Sequence, residues 1–168
     1  MKINLNKLKL APHQKQDFHF EEPGDDQLLD SWGGKFLQPV VVDGELEHNG
    51  KDMQVQGKVQ AVVELYCSRC LKPVTYTVNT SFSAIIVDGQ RQKEFSDAEE
   101  DVVFNFDGIA DLTPLVQEII VSDLPISVLC KEECKGLCPL CGSDLNTGTC
   151  GCREDNIDPR WEKLKQLT

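Results

Sequence analysis

The sequence has few of the residues on which enzymes and membrane proteins depend. Its three histidines, His13, His19 and His48, are isolated from one another and from the cysteines. No stretch approaches the roughly 20 apolar residues of a membrane-spanning helix. The N-terminal segment has lysines but lacks the apolar run of a secretory signal. We therefore expect a cytoplasmic protein that has no membrane partner.

Motifs for catalysis are also missing. The sequence contains no metalloprotease helix motif, no glycine loop of the kind that cradles phosphate and no deaminase signature. A catalytic metal usually takes histidine or carboxylate ligands and keeps an open position. We therefore predict a protein that is not an enzyme, with no catalytic residues, no site for an organic cofactor and no small-molecule substrate.

Basic residues are scarce in the middle of the chain. Residues 20–129 carry seven basic and twenty acidic residues, a net charge of −13, within a whole-chain charge of −11. Such a body repels phosphate backbones and favours basic partners such as ribosomal proteins. The candidate contact is an acidic loop containing Glu94, Asp97, Glu99, Glu100 and Asp101. The open alternative is that this acidity only provides solubility.

Two long alternating patterns predict a β-hairpin. Apolar residues occupy every second position from Met53 to Leu65, with Gly57 in phase as a candidate bulge, and the pattern resumes from Val74 to Ile86. Between them lies CSRCLKP, which places Cys67 and Cys70 at the hairpin tip.

Weaker patterns predict the remaining elements. Strands are expected at Lys2–Leu10, Lys35–Val42 and Val102–Phe106, turns at Asp43-Gly44 and Asn49-Gly50, and helices from about Asp111 to Pro125 and from Asp158 onward. The predicted fold is α+β, an antiparallel sheet or partly closed barrel with a few helices. Residues 1–129 would form the β-rich core domain, and residues 130–168 a cysteine-rich tail that ends in a short helix carrying Trp161.

Cysteine spacing is the strongest signal. All eight cysteines belong to closely spaced pairs, and six of them fall within 23 residues of the C-terminal region. Pairs at this spacing wrap a tetrahedral thiolate-bound metal, normally Zn²⁺. In a reducing compartment, metal ligation is favoured over disulfides. The predicted ligands of one or two zinc ions are Cys67, Cys70, Cys130, Cys134, Cys138, Cys141, Cys150 and Cys152.

The spacing leaves the partition into sites open. The preferred pairing places Cys138, Cys141, Cys150 and Cys152 in one site, and Cys67, Cys70, Cys130 and Cys134 in the other. The rival pairing joins the hairpin cysteines to Cys138 and Cys141. Some of these residues could instead be ordinary buried thiols, or CSRC a redox pair, although no βαβ unit surrounds it.

The chain resembles the YceD-like family, which is named for accumulation of large-subunit ribosomal RNA. The resemblance covers residues from about 30 to 168. It rests on the central hairpin knuckle, DLTPLVQEIIVSDLPISVLC, CKGLCPLCGSDLN, the following Cys-x-Cys pair and DPRWEKLKQL. It implies a cytosolic, non-enzymatic factor in biogenesis of the large ribosomal subunit, with a link to a large-subunit ribosomal protein.

Resemblance and charge together predict binding to a basic ribosomal protein or an assembly intermediate, with possible contact to rRNA. Two alternatives stay open. One is a zinc ribbon that binds RNA directly, which steep salt dependence of RNA affinity would reveal. The other is a thiol redox or metal-sensing protein, for which a low thiol pKa and reversible loss of metal on oxidation would be diagnostic.

Overall fold

In the computed structural model, residues 1–7, 14–48, 53–95 and 101–152 are described. They form eight strands and one α-helix: β1 (Lys2–Asn4), β2 (Lys15–Glu22), β3 (Lys35–Phe36), β4 (Val40–His48), β5 (Met53–Tyr66), β6 (Pro73–Asp88), β7 (Asp101–Phe106), β8 (Ile109–Asp111) and α1 (Thr113–Asp123). Three 3₁₀ segments connect them: Leu5–Lys7, Asp26–Trp32 and Gly89–Phe95. No helix within these ranges is long and apolar enough to cross a bilayer.

The predicted hairpin is the spine of the sheet. β5 and β6 pair antiparallel without interruption from Met53↔Ile86 to Tyr66↔Pro73. Their alternating apolar side chains face the core, where Val55, Val59 and Val63 are fully buried. The continuous pairing confirms the predicted hairpin. Its tip, between β5 and β6, holds Cys67 and Cys70.

The sheet is mixed, so the prediction of a purely antiparallel sheet is wrong. The strand order is β1-β8-β7-β6-β5-β4-β2, with β3 paired to β5. β7 runs parallel to β6, with Ala84 opposite Asp101. A parallel partner needs a crossover of about a dozen residues, and residues 89–100 provide it.

The sheet curls until its two edges meet at one corner, as in a partly closed barrel. The Met1 ammonium next to β1 donates to Glu22 Oε2 at 3.2 Å, at the end of β2. It also donates to Thr113 Oγ1 at 2.7 Å, at the start of α1. The main-chain N–H of Leu112 donates to Met1 O at 2.9 Å. The strand ends and the helix start are therefore tied together.

Helix α1 closes the core against the central strands. Its side chains Leu115, Val116, Ile119 and Ile120 are buried. Tyr76 on β6 donates its hydroxyl hydrogen to Asp123 O at 3.1 Å, near the end of the helix. Pro114 lies in the first turn, as predicted, but the N-cap residue is Leu112, and neither Asp111 nor Thr113 has that role.

Several local predictions need correction. Asp43 and Gly44 lie within β4, not in a turn. Of the predicted strand Lys2–Leu10, Lys2–Asn4 is a strand and Leu5–Lys7 is a 3₁₀ segment, and residues 8–10 lie outside the described residues. Gly57 is not a bulge, because it pairs with Gly44 on β4 and with Phe82 on β6 without an extra residue in any strand. A Cβ there would lie 2.6 Å from Asp43 O, so the glycine allows a close approach of strands.

Two further differences concern whole elements. Of the predicted strand Lys35–Val42, only Lys35–Phe36 and the beginning of β4 are extended. β2 was not predicted, although Phe18 and Phe20 alternate within it. The predicted turn at Asn49-Gly50 and the C-terminal helix with Trp161 lie outside the described residues, and the division at residue 130 stays a prediction.

Candidate metal centres

The hairpin tip meets the start of the tail to form the first group of thiols. This hairpin cluster consists of Cys67, Cys70, Cys130 and Cys134. The N–H of Ser68 donates to Val128 O at 2.8 Å, and the N–H of Leu137 donates to Arg69 O at 3.1 Å. These main-chain bonds on either side of Cys130 and Cys134 hold the tail against the knuckle.

A second group lies further along the tail. This tail cluster consists of Cys138, Cys141, Cys150 and Cys152. A short antiparallel bridge between Leu137 and Asp144 folds its first knuckle back. The structure thus brings the cysteines together in the preferred pairing and not in the rival one.

The two Cys-x2-Cys knuckles, at Cys67 and at Cys138, each form the same kind of backbone turn. The N–H of Leu71 donates to Cys67 O at 2.9 Å, and the N–H of Gly142 donates to Cys138 O at 2.9 Å. Both donor residues have positive φ, 58° at Leu71 and 71° at Gly142. This left-handed conformation suits glycine, whereas a leucine there is strained. The shared turn aims both sulfurs of each knuckle at one point.

The distances between the sulfurs of each cluster fit one metal ion bound by four thiolates. The four sulfurs of each cluster lie within 4.8 Å of one another. Cys67 Sγ is 3.8 Å from Cys134 Sγ, and Cys70 Sγ is 3.5 Å from Cys130 Sγ. A tetrahedron with metal–sulfur bonds of about 2.3 Å has edges of about 3.8 Å, whereas a disulfide would be about 2.0 Å long. Both groups could therefore hold a metal ion.

The thiols of the hairpin cluster differ strongly in acidity. Burial raises the pKa of Cys67, but hydrogen bonds from the backbone N–H groups of Cys130, Cys70 and Arg69 lower it to about 6. Hydrogen bonding to Cys70, together with desolvation, raises the pKa of Cys130 to about 12. The Cys67 thiol therefore loses its proton easily, whereas the Cys130 thiol keeps its proton. A bound cation would favour the thiolate form of both.

The tail cluster shows the same division. The hydroxyl and backbone N–H of Ser143 lower the pKa of Cys141 to about 6. Hydrogen bonding to Cys141, followed by desolvation, raises the pKa of Cys152 to about 12. The tail cluster is more open, because Cys141 and Cys152 are exposed, whereas Cys67, Cys70 and Cys134 are buried.

Polar residues that the sequence reasoning missed link the two clusters. Asn146 Nδ2 lies 3.5 Å from Cys134 Sγ and donates to Asp144 Oδ1 at 2.8 Å. The other carboxylate oxygen of Asp144 lies 2.6 Å from Lys72 Nζ, next to the hairpin knuckle. The Lys72 ammonium, followed by the N–H groups of Asn146, lowers the pKa of Asp144 to about 2. The string SDLN after the knuckle was the available signal.

The described histidines lie on the sheet and not in the cysteine clusters. His19 Nδ1 is 2.6 Å from Asp43 Oδ1 across strands β2 and β4. His48 ends β4, and His13 is outside the described residues. Among the residues that the structure describes, each cluster is therefore made of thiols alone.

Comparison with known proteins places the chain in a family. The model of the family "Large ribosomal RNA subunit accumulation protein YceD" matches residues 55–168, a range that holds all eight cysteines. The chain belongs to this family. The resemblance inferred from the cysteine strings is thereby confirmed.

The chain is also similar to individual proteins, one of which carries the family name. An uncharacterized protein of Mycobacterium tuberculosis is 31% identical over 126 residues, which cover 75% of this chain and 60% of the relative. The uncharacterized protein YlbN of Bacillus subtilis is 28% identical, with 99% of this chain and 96% of the relative covered. A maize protein named large ribosomal RNA subunit accumulation protein YCED homolog 1, chloroplastic, is 24% identical, with 77% and 54% covered. No solved structure matches the chain significantly.

The chain spans about 60% of the length of the mycobacterial relatives that it matches. The family is named for accumulation of large-subunit ribosomal RNA.

Proposed function

We propose that this protein is a non-enzymatic, cytoplasmic factor in biogenesis of the large ribosomal subunit, and that it supports accumulation of large-subunit rRNA. The observation that carries this proposal is the family match over residues 55–168. The protein acts by binding a basic ribosomal protein or an assembly intermediate. The fold provides a curled sheet, and the cysteine-rich segment that follows α1 packs against its hairpin tip.

Each cysteine cluster binds one Zn²⁺ ion. Four thiolates at tetrahedral spacing leave no position for a substrate or reactive water, so both ions are structural. Zn²⁺ fits better than harder ions, because soft thiolate ligands select against Mg²⁺ and Ca²⁺. Elemental analysis of protein purified without chelator should give close to two zinc equivalents. Less than half an equivalent of any metal would contradict the proposal.

The partner surface is acidic. Glu94 at the end of a 3₁₀ segment is 61% exposed, and Asp101 at the start of β7 is also exposed. Residues 96–100 between them lie outside the described ranges. Complementary charge mainly raises the association rate and makes it sensitive to salt. A basic protein segment is therefore a better partner for this loop than an RNA backbone.

The experiment compares two variants of equal charge change. Asp97→Asn, Glu99→Gln and Glu100→Gln neutralise the candidate loop, whereas Asp17→Asn, Glu21→Gln and Asp43→Asn neutralise exposed carboxylates on β2 and β4. We expect the loop variant alone to slow association with assembly particles and to flatten its salt dependence. Both should keep the circular dichroism of the parent chain.

Three outcomes decide between readings. Equal behaviour of the two variants would show that the loop is not the contact. Capture of bare RNA, with a steep salt slope, would favour the direct RNA-binding alternative. Unchanged levels of large-subunit rRNA in cells that lack the protein would contradict the proposed function itself.

A further inference from the structure

The link between the two clusters runs through side chains that ligate neither. Within the tail, Asp144 and Asn146 follow Cys141 by three and five residues. The N–H of Asn146 donates to Asp144 Oδ1 at 2.9 Å, which closes a tight local turn. The Asn146 side chain then spans to the other cluster, because its Oδ1 accepts from Lys135 N–H at 3.0 Å and its Nδ2 approaches Cys134 Sγ at 3.5 Å.

A second connection reaches the hairpin itself. Asp144 Oδ2 lies 2.6 Å from Lys72 Nζ. Lys72 follows Cys70 by two residues, and its carbonyl accepts from Cys67 N–H at 2.9 Å. One turn of the tail thus contacts both the hairpin side and the tail side of the hairpin cluster.

The position of this turn depends on the tail cluster. None of residues 139–152 is buried, so no apolar core holds Asp144 and Asn146 in place. Within the tail, the turn is restrained by main-chain bonds such as Cys138 N–H to Ser143 O at 2.8 Å and Leu145 N–H to Gly136 O at 3.0 Å, by the bridge to Leu137, and by closure of the chain around the four sulfurs. An open tail cluster would release the turn from the hairpin cluster.

We infer that the two clusters bind metal cooperatively, and that Asp144, Asn146 and Lys72 are the positioning residues that carry the coupling. This inference rests on the proposed metal binding. A metal in the tail cluster holds the turn in place, and the turn then orients Cys134 and the hairpin knuckle. Outer residues that orient ligands typically change metal affinity by about 10- to 100-fold. Because coupling free energy is reciprocal, a metal in the hairpin cluster strengthens tail binding by the same factor.

The test is a double-mutant cycle on the full chain. Metal affinity at each cluster is measured by chelator competition, and ¹¹³Cd resonances, assigned with cysteine variants, separate the two clusters. The four proteins are the parent chain, Cys138→Ser/Cys141→Ser, Asn146→Ala and their combination. Loss of the tail cysteines should weaken the hairpin cluster by about 5- to 150-fold. In the Asn146→Ala background, the same loss should have a much smaller effect.

A second pair of variants tests the link from the hairpin side. Lys72→Met should weaken metal binding at the tail cluster, and Lys72→Arg should restore most of it, since the charge is kept. Lys72 lies outside the tail, so its substitution removes the contact to Asp144 but no bond within the tail itself. Asn79→Ala, at an exposed position on β6, is the matched control and should leave both affinities unchanged.

The outcomes separate the inference from its premise. If neither cluster binds Cd²⁺ or Zn²⁺, the proposed metal binding fails. If both bind but the hairpin affinity is the same with and without the tail cysteines, the coupling is refuted. If coupling persists undiminished in both Asn146→Ala and Lys72→Met, the clusters communicate by another route, and the assigned residues are wrong.

Discussion

Substitution Cys138→Ser should disorder the tail while leaving the sheet intact. Cys138 is 6% exposed and belongs to the tail cluster. Serine is nearly isosteric but is not a thiolate ligand, so the variant removes one of the four ligands of the proposed zinc ion. The sheet has its own core, in which Val59, Val63 and Leu65 are fully buried. We therefore expect local, not global, unfolding.

The magnitude follows from the tail itself. Cys138 to Cys152 comprises 15 residues, of which only Cys138 is buried. Ordering their backbone costs about 15 kcal/mol at about 1 kcal/mol per residue. Backbone hydrogen bonds, such as Cys138 N–H to Ser143 O and Leu145 N–H to Gly136 O, together return about 4 kcal/mol at about 1 kcal/mol each. The deficit of about 11 kcal/mol is the size that a structural zinc ion contributes, about 10–16 kcal/mol.

Amide hydrogen exchange measures the result directly. In Cys138→Ser, protection should disappear between residues 138 and 152, and should persist in β5 and β6. Thr149→Ala, an exposed change in the same segment, is the control and should keep the parent pattern. Loss of protection in β5 and β6 as well would refute the reasoning, because it would show that metal, tail and sheet form one cooperative unit.

Two further predictions concern the sheet and its corner. Gly57→Ala should lower the free energy of unfolding by about 1–3 kcal/mol, because the new Cβ would lie 2.6 Å from Asp43 O. The control Gly148→Ala should be nearly neutral, because its Cβ would meet nothing within 4 Å. Urea unfolding compares the two variants. Burial raises the pKa of Asp111, but hydrogen bonds from Thr113 and the nearby Met1 ammonium lower it further, so the net shift is downward. The stabilisation from ionised Asp111 is thus complete above about pH 3.9 and lost as pH falls through the lower folded value. Asp111→Asn should be less stable than the parent chain at pH 7, with a difference that shrinks below about pH 4; a difference that does not change with pH would contradict this assignment.

Local patterns in the sequence predicted much of the architecture. Alternation from Met53 to Leu65 and from Val74 to Ile86 predicted the hairpin, because side chains of a strand alternate between core and solvent. The Pro114 signal located the start of α1. The same reasoning failed at β2, where polar and charged residues surround Phe18 and Phe20. It also failed at Asp43-Gly44, a turn-forming pair that lies inside a strand because Gly44 pairs with Gly57 across β4 and β5.

Cysteine spacing determined by itself that the thiols come in pairs, because a Cys-x2-Cys turn brings its two sulfurs together locally. Only the tertiary structure decided which pairs meet, since that depends on the length of β5 and β6 and on the return of the chain after α1. The parallel pairing of β6 with β7 and the Lys72–Asp144 link were decided in the same way. They join segments distant in sequence, and no local periodicity encodes the distance between such segments once the chain has folded.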